Sequence, residues 1–225
     1  LASPYVRTTK AGSSKLSKTL TYLPEGEYKL SANAYAYYGY GTRNGQQLYL
    51  NDQTLAISSA RNRTATLRSL TGSVSSDYTM EFGIKTTSTS TATNIAMDNV
   101  SLVFQGTMAD YIEGIENMTY DIISEASSLS GKLMNASVKN ALLNVLRNVD
   151  SSLSNYVSKI ASGTSTVDDV NAWIVALEAV ENAVAAAKIS VDAYTALDVQ
   201  ISASRAKAAL YPQQTCGSID EFGLD

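Results

Sequence analysis

A change of hydrophobic period at Gln105-Gly106 constrains this chain more than any other feature. From Leu20 to Phe104 apolar and polar residues alternate in a stretch rich in Tyr, Thr, Val and Ser, the pattern of half-buried strands. Beyond Gly106 the composition shifts toward Ala, Val, Leu, Asp and Glu, and apolar residues recur every third or fourth position, as on one-sided helices. Strands of the first kind must bury a sheet face, and helices of the second kind must bury a stripe against one another. The sequence therefore predicts an all-β module followed by an all-α one: an antiparallel β-sandwich over 1–106, a three- to four-helix antiparallel bundle over 107–211, and a tail over 212–225.

In the β half, Thr19 to Leu23 reads as one arm of a hairpin, Pro24-Glu25-Gly26 as its turn and Glu27 to Tyr37 as its return. In the return strand Tyr28, Leu30, Ala32, Ala34 and Ala36 share one face, while Lys29, Ser31, Asn33, Tyr35 and Tyr37 share the other. Further strands are expected at Gln47 to Leu50, around Leu55 to Ser58, around Thr64 to Leu70, at Tyr78 to Lys85 and at Asn94 to Phe104. In the last of these Val100, Leu102 and Phe104 alternate inward, which puts Asp98 in phase with them and calls for a polar partner or a bulge.

In the α half, Met108, Tyr111, Ile112, Ile115, Ile122, Ala126 and Leu129 make one stripe that ends near Gly131. A second helix starts in the Asn135 to Ser137 region and ends at Gly163, with a stripe from Val138 to Ile160. Ser165 with Asp168, and Thr166 with Asp169, have capping-box spacing for a third helix carrying Val170, Trp173, Ile174, Leu177, Val180, Val184 and Ala187. Ser190-Val191-Asp192 then either caps a fourth helix bearing Tyr194, Leu197, Ile201 and Ala208 or lies inside one long helix.

Composition narrows the function classes. The chain has no histidine, the usual general base, triad member and transition-metal ligand, so most hydrolase constellations fall and only carboxylate chemistry survives. The formal net charge of −4 argues against a nucleic-acid partner. No apolar run is long enough to span a membrane. Cys216 is the only cysteine, which excludes an intrachain disulfide and a cysteine-based metal site. The chain begins at Leu1 rather than a methionine, so removal of an upstream segment is expected, and export is compatible with that.

The stretches TLTYLPEGEYKLSANAYAYYG and FGIKTTSTSTATNIAMDNVSLVF resemble the jelly-roll modules of the galactose-binding-like group, common in Bacteroidetes surface and polysaccharide-degrading proteins. The resemblance covers roughly residues 15–105; such modules also have earlier strands with a glycine-tryptophan segment, which this chain does not show. Residues from Ser165 to Ala208 resemble the FIVAR helical repeats of cell-wall and surface proteins. Together they imply a non-catalytic carbohydrate-binding module on a helical spacer, in a secreted or cell-surface protein of the bacterial envelope, with a polysaccharide or glycoprotein glycan as partner. A structural or adhesive protein-binding module, or an accessory fragment of a glycoside hydrolase, are the alternatives.

The expected carbohydrate site is the strand end and loop holding Tyr37, Tyr38, Tyr40, Arg43, Asn44 and Gln47, since aromatic faces stack on sugar rings while amide and guanidinium groups bond hydroxyls. The same residues also fit a solvated strand face with an ordinary turn. No catalytic residue, metal ligand or cofactor is assigned. Asp98 and Asn99 offer oxygens of the kind a structural Ca²⁺ takes, but two residues fall short of a site, and bonding to loop backbone accounts for them.

Overall fold

The computed structural model describes residues 13–37, 45–57, 65–86 and 94–210. Seven strands come first: β1 (Ser14–Leu20), β2 (Gly26–Tyr37), β3 (Gln46–Leu50), β4 (Gln53–Ala56), β5 (Thr66–Val74), β6 (Met80–Thr86) and β7 (Asn94–Phe104). Three helices follow: α1 (Met108–Ser130), α2 (Ala136–Ala161) and α3 (Val167–Ala209). The strands form two antiparallel sheets, one ordered β1-β6-β3-β4 and the other β5-β2-β7, so the architecture is a β-sandwich with a helical region after it. Cα proximity divides the chain into two compact units, the first comprising Leu1–Asp121 with Asn155–Val167, the second Ile122–Ser154 with Asp168–Asp225.

The sandwich core follows the alternation. Tyr28, Leu30, Ala32, Ala34 and Ala36 on β2, with Ile95 on the neighbouring β7, face Leu48 and Leu50 on β3 and Met80 and Ile84 on β6 in one buried cluster. Where β2 presents the run Ala32, Ala34 and Ala36, the larger Leu48, Leu50, Met80 and Ile84 of the opposite sheet fill the core. At one edge the Tyr28 ring meets Phe104 edge-on at 5.3 Å, and Phe104 in turn meets Tyr111 of α1 at 5.2 Å. The Tyr28 hydroxyl donates to the Pro24 carbonyl, and its burial pushes the phenol pKa well above the ordinary range.

The expected hairpin does not form. β1 pairs with β6, and β2 pairs with β5 and β7 in the other sheet, so the Pro24-Glu25-Gly26 turn carries the chain between layers. Local alternation is the same for either pairing; what separates them is that β1 and β2 must each supply an inward face to opposite sides of one core.

Asp98 is resolved by a bulge. Ser31 pairs with Ser101 but Asn33 pairs with Asp98, so Asn99 and Val100 together oppose Ala32, and Asn99 takes a φ of 50°. The extra residue shifts the phase, and Ile95 and Met97 point inward before it, Leu102 and Phe104 after it. Val100, expected in the core, is therefore exposed. Asp98 instead accepts the Asn99 amide at 2.7 Å.

Helix ends explain the helical spans. Thr107 and Asp110 form a reciprocal capping box at α1, with Thr107 N–H donating to Asp110 Oδ2 at 2.7 Å and Asp110 N–H to Thr107 Oγ1 at 3.2 Å. Asn135 caps α2 by accepting the Ser137 amide at 2.9 Å. Gly163, at φ 68°, ends α2 with Thr164 N–H returning to the Lys159 carbonyl. α3 is continuous over 43 residues, so the fourth helix does not exist as a separate element. No Gly or Pro interrupts Val167–Ala209, and the Ser190 hydroxyl accepts the Asn135 amide at 2.9 Å rather than capping its own backbone. Within the second unit Lys188 of α3 pairs with Glu125 of α1 at 2.7 Å. No helix among the described residues is long and apolar enough to cross a membrane.

Candidate functional site

The outer face of the β1-β6-β3-β4 sheet is built by residues out of phase with the core. Register puts Lys15 opposite Lys85, Ser17 opposite Gly83 and Thr19 opposite Glu81, with Tyr49 of β3 on the other side of Gly83. The ring is 1% exposed, although it lies on the outside of the sheet, because the Lys15 and Lys85 ammonium groups stand 5.1 and 5.0 Å from its centroid. Such cation–π contacts let long lysine stems cover an aromatic surface.

This face opens into a cleft of about 830 Å³. One wall is the tip of the β3–β4 hairpin, Asn51, Asp52 and Gln53; another is Thr71, Gly72 and Ser73 of β5; Glu27, Ser75 and Asp77 complete the rim. Asn51 holds the tip in place, at a φ of 49° that asparagine tolerates better than most residues. Its Oδ1 accepts the Glu81 amide at 2.8 Å, and its Nδ2 donates to the Ser73 carbonyl at 3.1 Å, tying both sheets to the hairpin. Asp77 is fixed by the Thr79 hydroxyl at 2.7 Å.

Four carboxylates, Glu27, Asp52, Asp77 and Glu81, line the cleft against two ammonium groups, Lys15 and Lys85. Lys15 Nζ meets Glu81 Oε2 at 2.6 Å. That contact holds the Glu81 carboxyl below its ordinary value and raises the Lys15 ammonium above its own. Hydrogen bonds from Thr79 lower Asp77, and those from Thr107 lower Asp110. Burial pushes the Tyr49 phenol up. Both amide atoms of the inward-facing Gln46 are buried without a hydrogen-bond partner.

A pH dependence follows from these directions. A carboxyl lowered in the folded state stabilises it above the unfolded value, and that contribution fades as pH falls through the folded value. From ordinary values of 4.5 for Glu81 and 3.8 for Asp77 and Asp110, the loss falls below about pH 4.5. Thermal melts are expected to give a lower Tm at pH 3 than at pH 6, with a smaller gap in Glu81→Gln. An unchanged Tm across that range contradicts the assignment.

The sequence-predicted site meets this surface at one residue. Gln47 lies on the Tyr49 face of β3, opposite Lys85 and Ala56. Tyr37 ends β2 in the other sheet, paired with Asn94. Tyr38, Tyr40, Arg43 and Asn44 lie outside the described residues. Asp98 pairs with Asn33 across the strands, and no group of three or more His, Cys, Asp or Glu side chains that could hold a metal ion occurs among the described residues. Sequence reasoning passed over Tyr49, Lys15, Lys85 and Glu81, whose only local mark is an outward phase on three separate strands.

No family model matches the chain, and no curated protein does. Among solved structures it is similar to the C-terminal domain of EclA, a sugar-binding protein, at 18% identity and a TM-score of 0.35, over 46% of this chain and 79% of that one. It is similar also to TmCBM61, solved with β-1,4-galactotriose, at 12% identity and a TM-score of 0.34, over 45% of this chain and 69% of that one. A third, the CBM51-2 and INT domains of Clostridium perfringens ZmpB, solved with GlcNAc, matches at 7% identity and a TM-score of 0.21, over 82% of this chain and 42% of that one. These similarities are weak, and what the cleft can bind follows from its own residues.

Proposed function

We propose that this protein is a non-catalytic carbohydrate-binding module whose sandwich, over 1–106, holds a glycan in the cleft on the β1-β6-β3-β4 face, with the helices over 107–211 as its spacer. The observation that carries this is the lining. An open cleft of about 830 Å³ presents amides, hydroxyls and carboxylates from the β3–β4 tip and β5, the groups that hydrogen-bond sugar hydroxyls. Two of its four carboxylates, Asp77 and Glu81, are engaged in a turn and an ion pair, which favours binding over hydrolysis. The reading needs no cofactor, and it places the protein outside the cell or on its envelope, where polysaccharides are met.

The tyrosine-rich stretch with Tyr37, Tyr38, Tyr40, Arg43, Asn44 and Gln47 is the competing candidate, and one experiment separates the two. Isothermal calorimetry across a panel of plant and microbial oligosaccharides is expected to give a ligand for the wild type. Asp52→Ala with Gln53→Ala, two changes at an exposed tip, should weaken it about tenfold or more, the loss of one to two hydrogen bonds. Tyr38→Ala and Arg43→Ala should leave it within about twofold. Loss confined to the loop variants moves the site to the loop; no binding across the panel removes the glycan reading.

A further inference from the structure

We propose that a second glycan contact lies where α1 crosses the turn between β1 and β2: a pocket that takes one neutral hexose at the end of a chain, stacked on Tyr120. It is separate from the cleft and shares with it only the class of ligand, so either site can fail alone.

The pocket is a cavity of about 330 Å³ lined by Glu25, Tyr78, Gly114, Asn117, Tyr120 and Asp121, all within the first compact unit. Gly114 makes the crossing close. A Cβ at that position would stand 2.8 Å from the Pro24 Cβ, so its absence lets α1 lie against the turn. Asn117, Tyr120 and Asp121 follow within two turns of the same helix and are brought beside Glu25.

Tyr78 enters from the segment between β5 and β6, and its position is fixed. Its amide donates to the Ser75 carbonyl at 2.9 Å, its carbonyl accepts the Leu23 amide at 3.0 Å, and its hydroxyl donates to the Asp121 carboxylate. These contacts hold it at a φ of 52°, which a bulky residue rarely adopts. Tyr120 is 56% exposed, and neither it nor Glu25 nor Asn117 has a hydrogen-bond or ion-pair partner among the described residues. A lone exposed tyrosine needs no explanation. This one lines a cavity together with a second, fixed tyrosine and an unengaged amide and carboxylate.

Those groups match a sugar ring. An aromatic face takes its C–H side, a carboxylate accepts from its hydroxyls, and an amide both donates and accepts. Charge decides the kind of sugar. The lining has two carboxylates and no lysine or arginine, so an acidic sugar is repelled. A free ammonium, with three protons to place, finds only the Glu25 carboxylate open, because the Tyr78 hydroxyl already engages Asp121. The volume sets the length, since about 330 Å³ lies at the small end of the roughly 300–1,000 Å³ range of small-molecule sites. One ring fits there better than a run of them.

Calorimetry on the full chain with lactose, cellobiose, maltose, mannobiose and digalacturonate tests this. At least one neutral disaccharide is expected to bind, and digalacturonate to bind at least about tenfold more weakly than it. Tyr120→Ala should weaken the neutral ligand about tenfold or more and Asn117→Ala about fivefold. Both residues are exposed, so the fold should be unaffected. Tyr120→Phe, which keeps the ring, and Glu178→Gln, exposed on α3, should stay within about twofold, as should Asp52→Ala with Gln53→Ala at the cleft. Binding that survives Tyr120→Ala, or falls as far in Tyr120→Phe, overturns the inference. Digalacturonate bound as tightly as the neutral ligand overturns it too. If only the Asp52 and Gln53 variant loses the disaccharide, the sugar occupies the cleft, and this inference falls while the cleft reading stands. If no disaccharide binds, the pocket is not a sugar site, and the cleft is judged by the longer oligosaccharides alone.

Discussion

Gly83→Ala is expected to unfold the sandwich at a markedly lower urea concentration, with a loss of about 2–3 kcal/mol, the range for forcing atoms into a filled space. Gly83 sits in β6 between Ser17 of β1 and Tyr49 of β3. A Cβ there would overlap the Leu16 carbonyl oxygen, and its next neighbours, the Leu16 carbonyl carbon and the Ser17 Cα, lie at 3.0 Å. These are backbone atoms, so no rotamer relieves the clash. Strand β1 must move, which strains the ladder from Ser14–Thr86 to Leu20–Met80 and draws Lys15 away from Glu81 and from the Tyr49 ring. Glycan binding should weaken in the same variant. Gly131→Ala is the control, since its nearest foreign atom is the Ser128 carbonyl oxygen at 3.8 Å. Urea melts of the two variants that agree within about 0.5 kcal/mol would refute the close-approach account.

That variant also marks the limit of what the sequence makes legible. Alternation places β2, β3, β6 and β7 within a residue or two, because a strand's inward face is a local property of its own side chains. The 3.6-residue stripes and caps likewise place α1 and α2, and Asn135 and Gly163 mark the ends of α2 where the dihedrals require them. Pairing is another matter. Nothing local distinguishes a β1–β2 hairpin from β1 joined to β6 across 60 or more residues, as Leu20 is to Met80, and the close approach at Gly83 is invisible until that partner is known. The bulge at Asn99 shows the same limit on a smaller scale: one inserted residue reversed the phase and put Val100 outside. The candidate site suffers most. Lys15, Tyr49 and Lys85 come from three strands, and only register brings them to one ring. The tyrosine-rich stretch from Tyr37 to Gln47, by contrast, is conspicuous because its residues lie close together in the sequence.

The helical region offers the other large expected effect. Trp173→Ala should cost about 3–5 kcal/mol, the range for truncating a fully buried aromatic residue. Trp173 is 2% exposed and shares its face of α3 with Asp169, Leu177, Val180, Val184 and Ala187, all buried. Beyond Ala187 no described residue of the helix is buried; Ile189, Leu197 and Val199 are at least half exposed. The anchored segment of α3 is thus Asp169–Ala187, and the turns after it are held by continuity with that segment and by intrinsic propensity, which alone is marginal in water. Removing the largest buried side chain should therefore reduce helicity beyond the site of the cavity. Far-UV circular dichroism would register a loss of helical signal, and trypsin would cut more rapidly after Arg205 and Lys207. Val175→Ala, at a residue 61% exposed on the same helix, should leave both readouts unchanged. Trp173→Phe should fall between the two, since it keeps an aromatic ring and loses only part of the volume. If Trp173→Ala melts within about 1 kcal/mol of wild type, the stripe is not what holds α3 down.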